Sequence, residues 1–322
     1  MTSSQHPVRP CTARAVDDAG TVIISLDFEM NWGMHHVLGR DSQDYRTSLA
    51  REPEIAERLL KELLDRGIRA TWATVGAIAC TGWKEYWRRA PAPPAYQVRK
   101  LAVGHDLERS DPGGALHFAP ATVERIARAP GQDLGCHTFS HVLCARPGST
   151  ADDLELDAAA FLQLWRERFG AAPRSFVYPC NESCFADRLA SSGFRVVRTL
   201  ARPESPYRLW RRVHNTFGLF VRPTYQASTV NVDGIRETVG SAFVRFDLPG
   251  PAWALQAQRI RSALHRPVAG SFLHLWWHPH NLGAEPVRRI DRARTLLDEV
   301  AEAIRTGPLR SCNMADLDGV PA

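Results

Sequence analysis

Lysine is nearly missing from this 322-residue chain. Lys61, Lys84 and Lys100 are the only three, and arginine supplies the rest of the 40 basic groups. The arginines are scattered without a run of like charge, and the formal net charge is a modest +5. A nucleic-acid surface needs a clustered basic stripe with aromatic platforms, so nucleic acid is not an expected partner. Paired C-x-x-C spacings are missing too. The seven cysteines are scattered, and Cys180 and Cys184, four apart, have no second pair, which excludes an ordinary zinc knuckle. No apolar run approaches the roughly 20 residues of a membrane span. Residues 1–20 are polar and mixed and hold no signal-peptide core. Free thiols without an export signal point to a reducing, cytoplasmic setting. There is no internal repeat or low-complexity tract, and oligomeric state leaves no mark.

What is present is an alternation. Residues 1–19 read as a flexible arm and 20–322 as a single domain, a length that one α/β barrel can occupy. Thr21–Leu26 is a short β-branched apolar run, as in a strand buried on both faces. From Pro53 to Arg66, Ile55, Leu59, Leu60, Leu63 and Leu64 repeat at helical spacing, and Gly67 follows as a C′ glycine. Arg69–Val75 is the next strand, so the unit is β-α-β with parallel strands. Residues 81–120 read as irregular, broken by Pro91, Pro93, Pro94 and Asp111-Pro112-Gly113-Gly114. Further strands are expected at 133–136, 175–178, 195–199 and 271–276, with helices near 122–129, 152–169, 185–192, 255–265 and 288–306. The stretch 200–252 reads as loop-rich. Strand and helix in turn predict an α/β fold with a parallel sheet or barrel, whose active sites gather at the carboxyl ends of strands.

Three polar clusters follow such strands. His137 and His141 share one face if their segment turns helically, and imidazole is the commonest side-chain metal ligand. Asp27 and Glu29 point to one side of an extended strand. Two histidines and one carboxylate make an open catalytic set, with the other carboxylate left as general base. The residues alone leave open which is which. An acidic pair at a strand end also suits a helix cap or an arginine partner. His278, among Trp276, Trp277 and Pro279, is placed to protonate a leaving group, or is simply a packed histidine. His274 inside the strand reads as core or as support from behind. Trp276 and Trp277 could stack on a sugar face, although simple core packing suits at least one of them. Past the strand at 175–178, Pro179 fixes a turn whose amides could serve as oxyanion donors. His35 and His36 read as a solvated loop near the site mouth.

In this order the segments resemble the NodB-homology polysaccharide deacetylases, carbohydrate esterase family 4, over roughly residues 20–318. Ser25-Leu26-Asp27-Phe28-Glu29 is similar to the first motif, usually T-F-D-D-G. His137-Thr138-Phe139-Ser140-His141 matches the second, H-[ST]-x-x-H. Phe176–Asn181 is similar to the third, and Leu275 with His278 to the last. The resemblance implies a distorted (β/α) barrel with fewer than eight complete units. It implies Zn2+ or a related ion (Co2+, Ni2+ or Fe2+) on Glu29, His137 and His141. Asp27 would be the base and His278 the acid, with Tyr178, Pro179, Cys180, Asn181 and Trp277 toward the substrate, an N-acetylated sugar or glycoside in cytosolic polysaccharide or natural-product assembly. Two departures stand out. Cys180 lies near the place of the third-motif arginine. The aspartate and tryptophan that tune the acid have only Asn181, Glu182 and Asp247 as stand-ins. Superfamily members also open linear and cyclic amides that are not sugars, and an inactive carbohydrate-binding barrel is the remaining alternative.

Overall fold

The computed structural model describes residues 19–37, 43–200 and 223–318, so the expected arm lies outside it except for Ala19. Among the described residues the strands are β1 (Gly20–Phe28), β2 (Ala70–Thr74), β3 (Gln132–Asp133), β4 (Ser175–Val177), β5 (Val196–Leu200), β6 (Thr229–Val230), β7 (Arg236–Gly240), β8 (Ala242–Phe243), β9 (Phe272–Trp277) and β10 (Leu309–Cys312). The helices are α1 (Gln43–Ala50), α2 (Glu52–Asp65), α3 (Trp83–Arg89), α4 (His105–Ser110), α5 (Pro120–Arg128), α6 (Ala151–Phe169), α7 (Ala186–Ser191), α8 (Gly250–Leu264) and α9 (Pro286–Thr306).

β1 is buried along its whole length, as its β-branched run requires. Parallel β9 lies along one edge. On the other edge β10 pairs with the first half of β1 and β2 with the second. Two ladders result: β3-β2-β1-β9-β8, and β4-β5-β7-β6. Cys136 joins them, bridging Thr74 on one side and Phe176 on the other. Across the ring, β7 runs through Ser241 into β8, which pairs with β9. The strands thus circle a common axis, with the ladder thinned to single bridges at Cys136. This largely parallel arrangement agrees with the sheet or barrel expected from the alternation and with the distorted barrel that the resemblance implied.

Helices cover the outside. Ile55, Ala56, Leu59, Leu60 and Leu63 of α2 are buried, the isoleucine and leucines each worth about 1.5–3 kcal/mol on full burial. Leu64 instead turns outward, 36% exposed. Gly67, at φ 63°, ends that helix as expected. α6 starts on a capping box of Thr150 and Asp153 and stops at left-handed Gly170.

Three segments depart from expectation. Residues 81–120 hold α3 and α4, whose Trp83 and Tyr86 pack around Trp32. The strand expected at 133–136 is a ladder only at β3. The loop-rich stretch holds β7, whose residues Arg-Glu-Thr-Val-Gly lack an apolar run. Residues 201–222 of that stretch lie outside the described residues. No helix among the described residues is long and apolar enough to cross a membrane.

Candidate metal centre and active site

The carboxyl end of β1 carries both acidic groups. Phe28 points into the core, edge-on to Trp72, so Asp27 and Glu29 emerge on the opposite side. Glu29 Oε2 lies 3.4 Å from His137 Nε2 and 3.3 Å from His141 Nε2. One ligand atom from each of the three falls within 4.8 Å of the others, and all three residues are buried. Gly33 crosses close behind, where a Cβ would stand 2.3 Å from Glu29 Cδ.

The electrostatics suit a cation. His137 Nδ1 donates to the Val177 carbonyl at 2.8 Å, which turns Nε2 toward Glu29. His137 Nε2 and both ring nitrogens of His141 are buried and have no hydrogen-bond partner. Burial pushes the Glu29 carboxyl up, but His278, His137 and His141 outweigh it and hold Glu29 well below its ordinary value. Burial lowers His141, favouring the neutral, ligating form. Unpartnered buried nitrogens around an ionised carboxylate are what a divalent ion of the Zn2+ class would satisfy. Glu29, His137 and His141 therefore fit such an ion.

The histidines do not sit on a helical turn. Thr138 and His141 adopt left-handed backbone, φ 61° and 57°, and α6 holds that shape. Buried Asp157 accepts from the Phe139 and Ser140 amides, the latter at 3.1 Å. Desolvation pushes its carboxyl up to about 7 against those donors. The four-residue spacing brings the imidazoles together through a capped turn.

Asp27 has different company. Arg198, fully buried on β5, clamps it with two parallel bonds: one guanidinium nitrogen to Oδ1 at 2.7 Å, the other to Oδ2 at 2.6 Å. Arg198 also donates to Ser25 Oγ at 2.8 Å and to Asn181 Oδ1 at 2.9 Å, and stacks 4.5 Å over Trp276. Ser25 Oγ in turn lies 2.8 Å from His274 Nε2. Burial raises the Asp27 carboxyl and Arg198 more than reverses that, so it stays ionised. Sequence reasoning missed Arg198. Its signal was a charge placed two residues after Val196 in Phe194-Arg195-Val196-Val197-Arg198, on the same strand face as that buried residue.

His278 completes the group. Its Nε2 lies 3.7 Å from Asp27 Oδ2 and 3.5 Å from Glu29 Oε1, and its ring packs edge-on against Phe243 and Trp276. Burial pushes it down to about 4, with Glu29 and Asp27 acting in the other direction.

Comparisons bear on this arrangement. No family model and no curated protein matches the chain. Among solved structures, a protein from Mycobacterium smegmatis provisionally assigned to the polysaccharide deacetylases superposes with a TM-score of 0.61 at 16% identity, over 94% of this chain and 90% of that one. The fold is that of the NodB-homology deacetylases of carbohydrate esterase family 4. A GH57-type branching enzyme from Pyrococcus horikoshii reaches 0.51 at 9% identity, over 94% of this chain and 71% of that one. A chitin deacetylase from the fungal pathogen Colletotrichum lindemuthianum reaches 0.46 at 14%, over 92% and 86%.

Against the NodB pattern, several expectations need correction. Arg198, not a group beside Cys180, orients Asp27. Trp277 is fully buried against Phe246, so it offers no face to a sugar. Neighbouring strand residues point to opposite sides, and Trp276 is the one turned toward His278. Tyr178, 1% exposed, and Pro179 are buried and shape the wall from behind. Cys180 is exposed, in left-handed backbone, with Asn181 following in the same conformation. Among the stand-ins, Asp247 pairs with Arg245, Glu182 with Arg146, and Asn181 with Arg198. His35 is buried, not solvated, its Nδ1 bonded to the Trp32 carbonyl, and His36 stacks on His141. The expectation of free thiols holds for Cys80, Cys136 and Cys180, but Cys144 and Cys184 form a disulfide. That bond removes the argument for a reducing compartment, since disulfides persist where conditions are oxidising.

Proposed function

We propose that this protein is a divalent-metal-dependent hydrolase that removes the acetyl group from an N-acetylated sugar or glycoside. The observation that carries the reading is the set of unpartnered, buried imidazole nitrogens on Glu29, beside an ionised Asp27 held by Arg198. Glu29, His137 and His141 would hold the ion, which when bound polarises an acyl carbonyl and acidifies water. Asp27 is the general base. Both its oxygens are oriented by the guanidinium, and Ser25 and Asn181 keep that guanidinium in place. Because burial holds His278 neutral at rest, it takes up a proton during the reaction, with Asp27 Oδ2 3.7 Å away. It then delivers that proton to the departing amine. In the 179–181 turn Pro179 has no N–H and the Asn181 amide donates to the Tyr178 carbonyl, so the Cys180 amide is the donor for the developing oxyanion.

Arg198 also bears on the alternatives. A missing base-orienting arginine favoured a non-sugar amide; with Arg198 in that role the motive is gone. The inactive-barrel reading requires a broken set of groups, and the base, acid and ligand residues stand together. The test is acetate release from a panel of N-acetylhexosamine oligomers, with metal content measured by elemental analysis. About one bound ion per chain and acetate release with Zn2+, Co2+ or Ni2+ are expected. A fully metallated protein that releases no acetate from any member would overturn the reading.

A further inference from the structure

Glu52 is the first residue of α2 and has no solvent exposure. Glu52 Oε2 lies 3.6 Å from His280 Nδ1, itself buried and without another bond. The His280 ring stands 5.1 Å from the His278 ring, tilted by 39°. The His278 ring thus packs against His280, Phe243 and Trp276. Its own Nδ1 is buried without a partner.

The turn that starts at His280 is clamped. Ser48 Oγ donates to the His280 carbonyl at 2.7 Å, Arg51 to the Gly283 carbonyl at 3.2 Å, and Arg289 to the Asn281 carbonyl at 2.6 Å. A Cβ on Gly283 would stand 2.5 Å from the Ser48 carbonyl oxygen, so the turn is seated directly on the α1–α2 junction. A carboxylate at the first turn of a helix gains from the dipole, but it gains this at the surface as well. Burying it against a histidine adds a desolvation cost that a surface cap would avoid, so capping alone does not account for its position.

We propose that Glu52 and His280 form a buried positioning pair that fixes the ring of His278. The inference rests on the reading of His278 as the acid. Glu52 holds His280, and His280 sets the ring that aims Nε2 of His278 at Asp27 and Glu29.

The test uses the full chain and the variants Glu52→Gln, Glu52→Asp and His280→Asn. The first readout is nitrogen-15 NMR of the imidazoles in metal-free protein. Glu52→Gln should move the His278 and His280 resonances and leave those of His137 and His141 in place. The second compares an N-acetylhexosamine oligomer with 4-nitrophenyl acetate, whose leaving group departs as the phenolate without a proton. Amide kcat should fall about 10- to 100-fold with KM within about twofold, and Glu52→Asp should recover part of it. Ester hydrolysis and bound metal should stay within about twofold. Unmoved His278 resonances, or equal losses on amide and ester, would overturn the pair. A wild-type protein silent on every acetamide but showing the NMR response would overturn the deacetylase reading alone. If Glu52→Gln does not fold, His280→Asn carries both readouts.

Discussion

Asp27 and Glu29 are two residues apart on one strand end, yet they live in opposite surroundings. Asp27 is saturated: a bidentate arginine takes both its oxygens, and Ser25, Asn181 and His274 extend the bonding outward. Around Glu29 the histidine nitrogens stand 3.3–3.4 Å away with no bond completed. A buried polar network that is fully satisfied holds a group still; one left open marks where something else binds. The same residue class thus does two jobs. One carboxylate is oriented by protein, and the other stands among unpartnered histidine nitrogens, the set that we propose holds a cation.

The largest effect that would break this contrast concerns the open side. Glu29→Gln or His137→Ala should abolish stoichiometric metal and reduce amide hydrolysis by about 10³-fold or more, with little loss of stability. Elemental analysis and acetate release read both. Retained metal in either variant would remove Glu29, His137 and His141 from the role of ligands.

On the satisfied side the order is reversed, with stability affected first. Arg198→Ala strands a buried carboxylate and should lower unfolding free energy by about 3–5 kcal/mol. Removing both partners, Asp27→Leu with Arg198→Met, should be milder than Arg198→Ala alone. Denaturant midpoints decide it. A double variant that loses as much as the two single losses added together would show that no coupling joins the pair.

A third prediction concerns the turn that carries the histidines. The Asp157 carboxyl is raised from 3.8 to about 7 in the folded protein. Between those values the folded state keeps a proton that the unfolded chain has released, so stability falls as pH rises through this window and levels off above it. The loss is on the order of 2–4 kcal/mol, and Asp157→Asn should flatten it. Unfolding curves from pH 4 to pH 8 test this, and an unchanged slope in the variant would discard Asp157 as its source.

The smallest effect sharpens the contrast from outside. Arg58 and Glu54 form an exposed i,i+4 pair at 2.6 Å, with 51% and 57% of the side chains open to solvent. Arg58→Ala should change stability by no more than about 0.5 kcal/mol, since water screens such pairs. A loss comparable to that of Arg198→Ala would mean that burial is not what separates the two ion pairs.

Much of the barrel was legible in sequence. β1 and β9 are continuous apolar runs, and α2 and α6 carry long stripes with clear stops, so period and punctuation agree. β7 was not legible, because its polar residues are buried by neighbours rather than by an apolar pattern of their own. The site divides in the same way. Asp27, Glu29, His137, His141 and His278 stand out by residue type and by their position after strands. Arg198 and Glu52 do not, since each gains its meaning from a partner 171 or 228 positions away in the chain, read from Arg198 to Asp27 and from Glu52 to His280.

By itself the sequence determined the strand–helix alternation, the strand ends where chemistry gathers, and the types of donor placed there. Those follow from local periodicity and from the few side chains able to bind a cation or move a proton. Only the tertiary structure decided which carboxylate is clamped and which is left open, that Trp276 rather than Trp277 faces the site, and that the histidine pair rides on a turn capped by Asp157. These depend on register and on which strands become neighbours, and such contacts exist only after distant segments have closed around one axis.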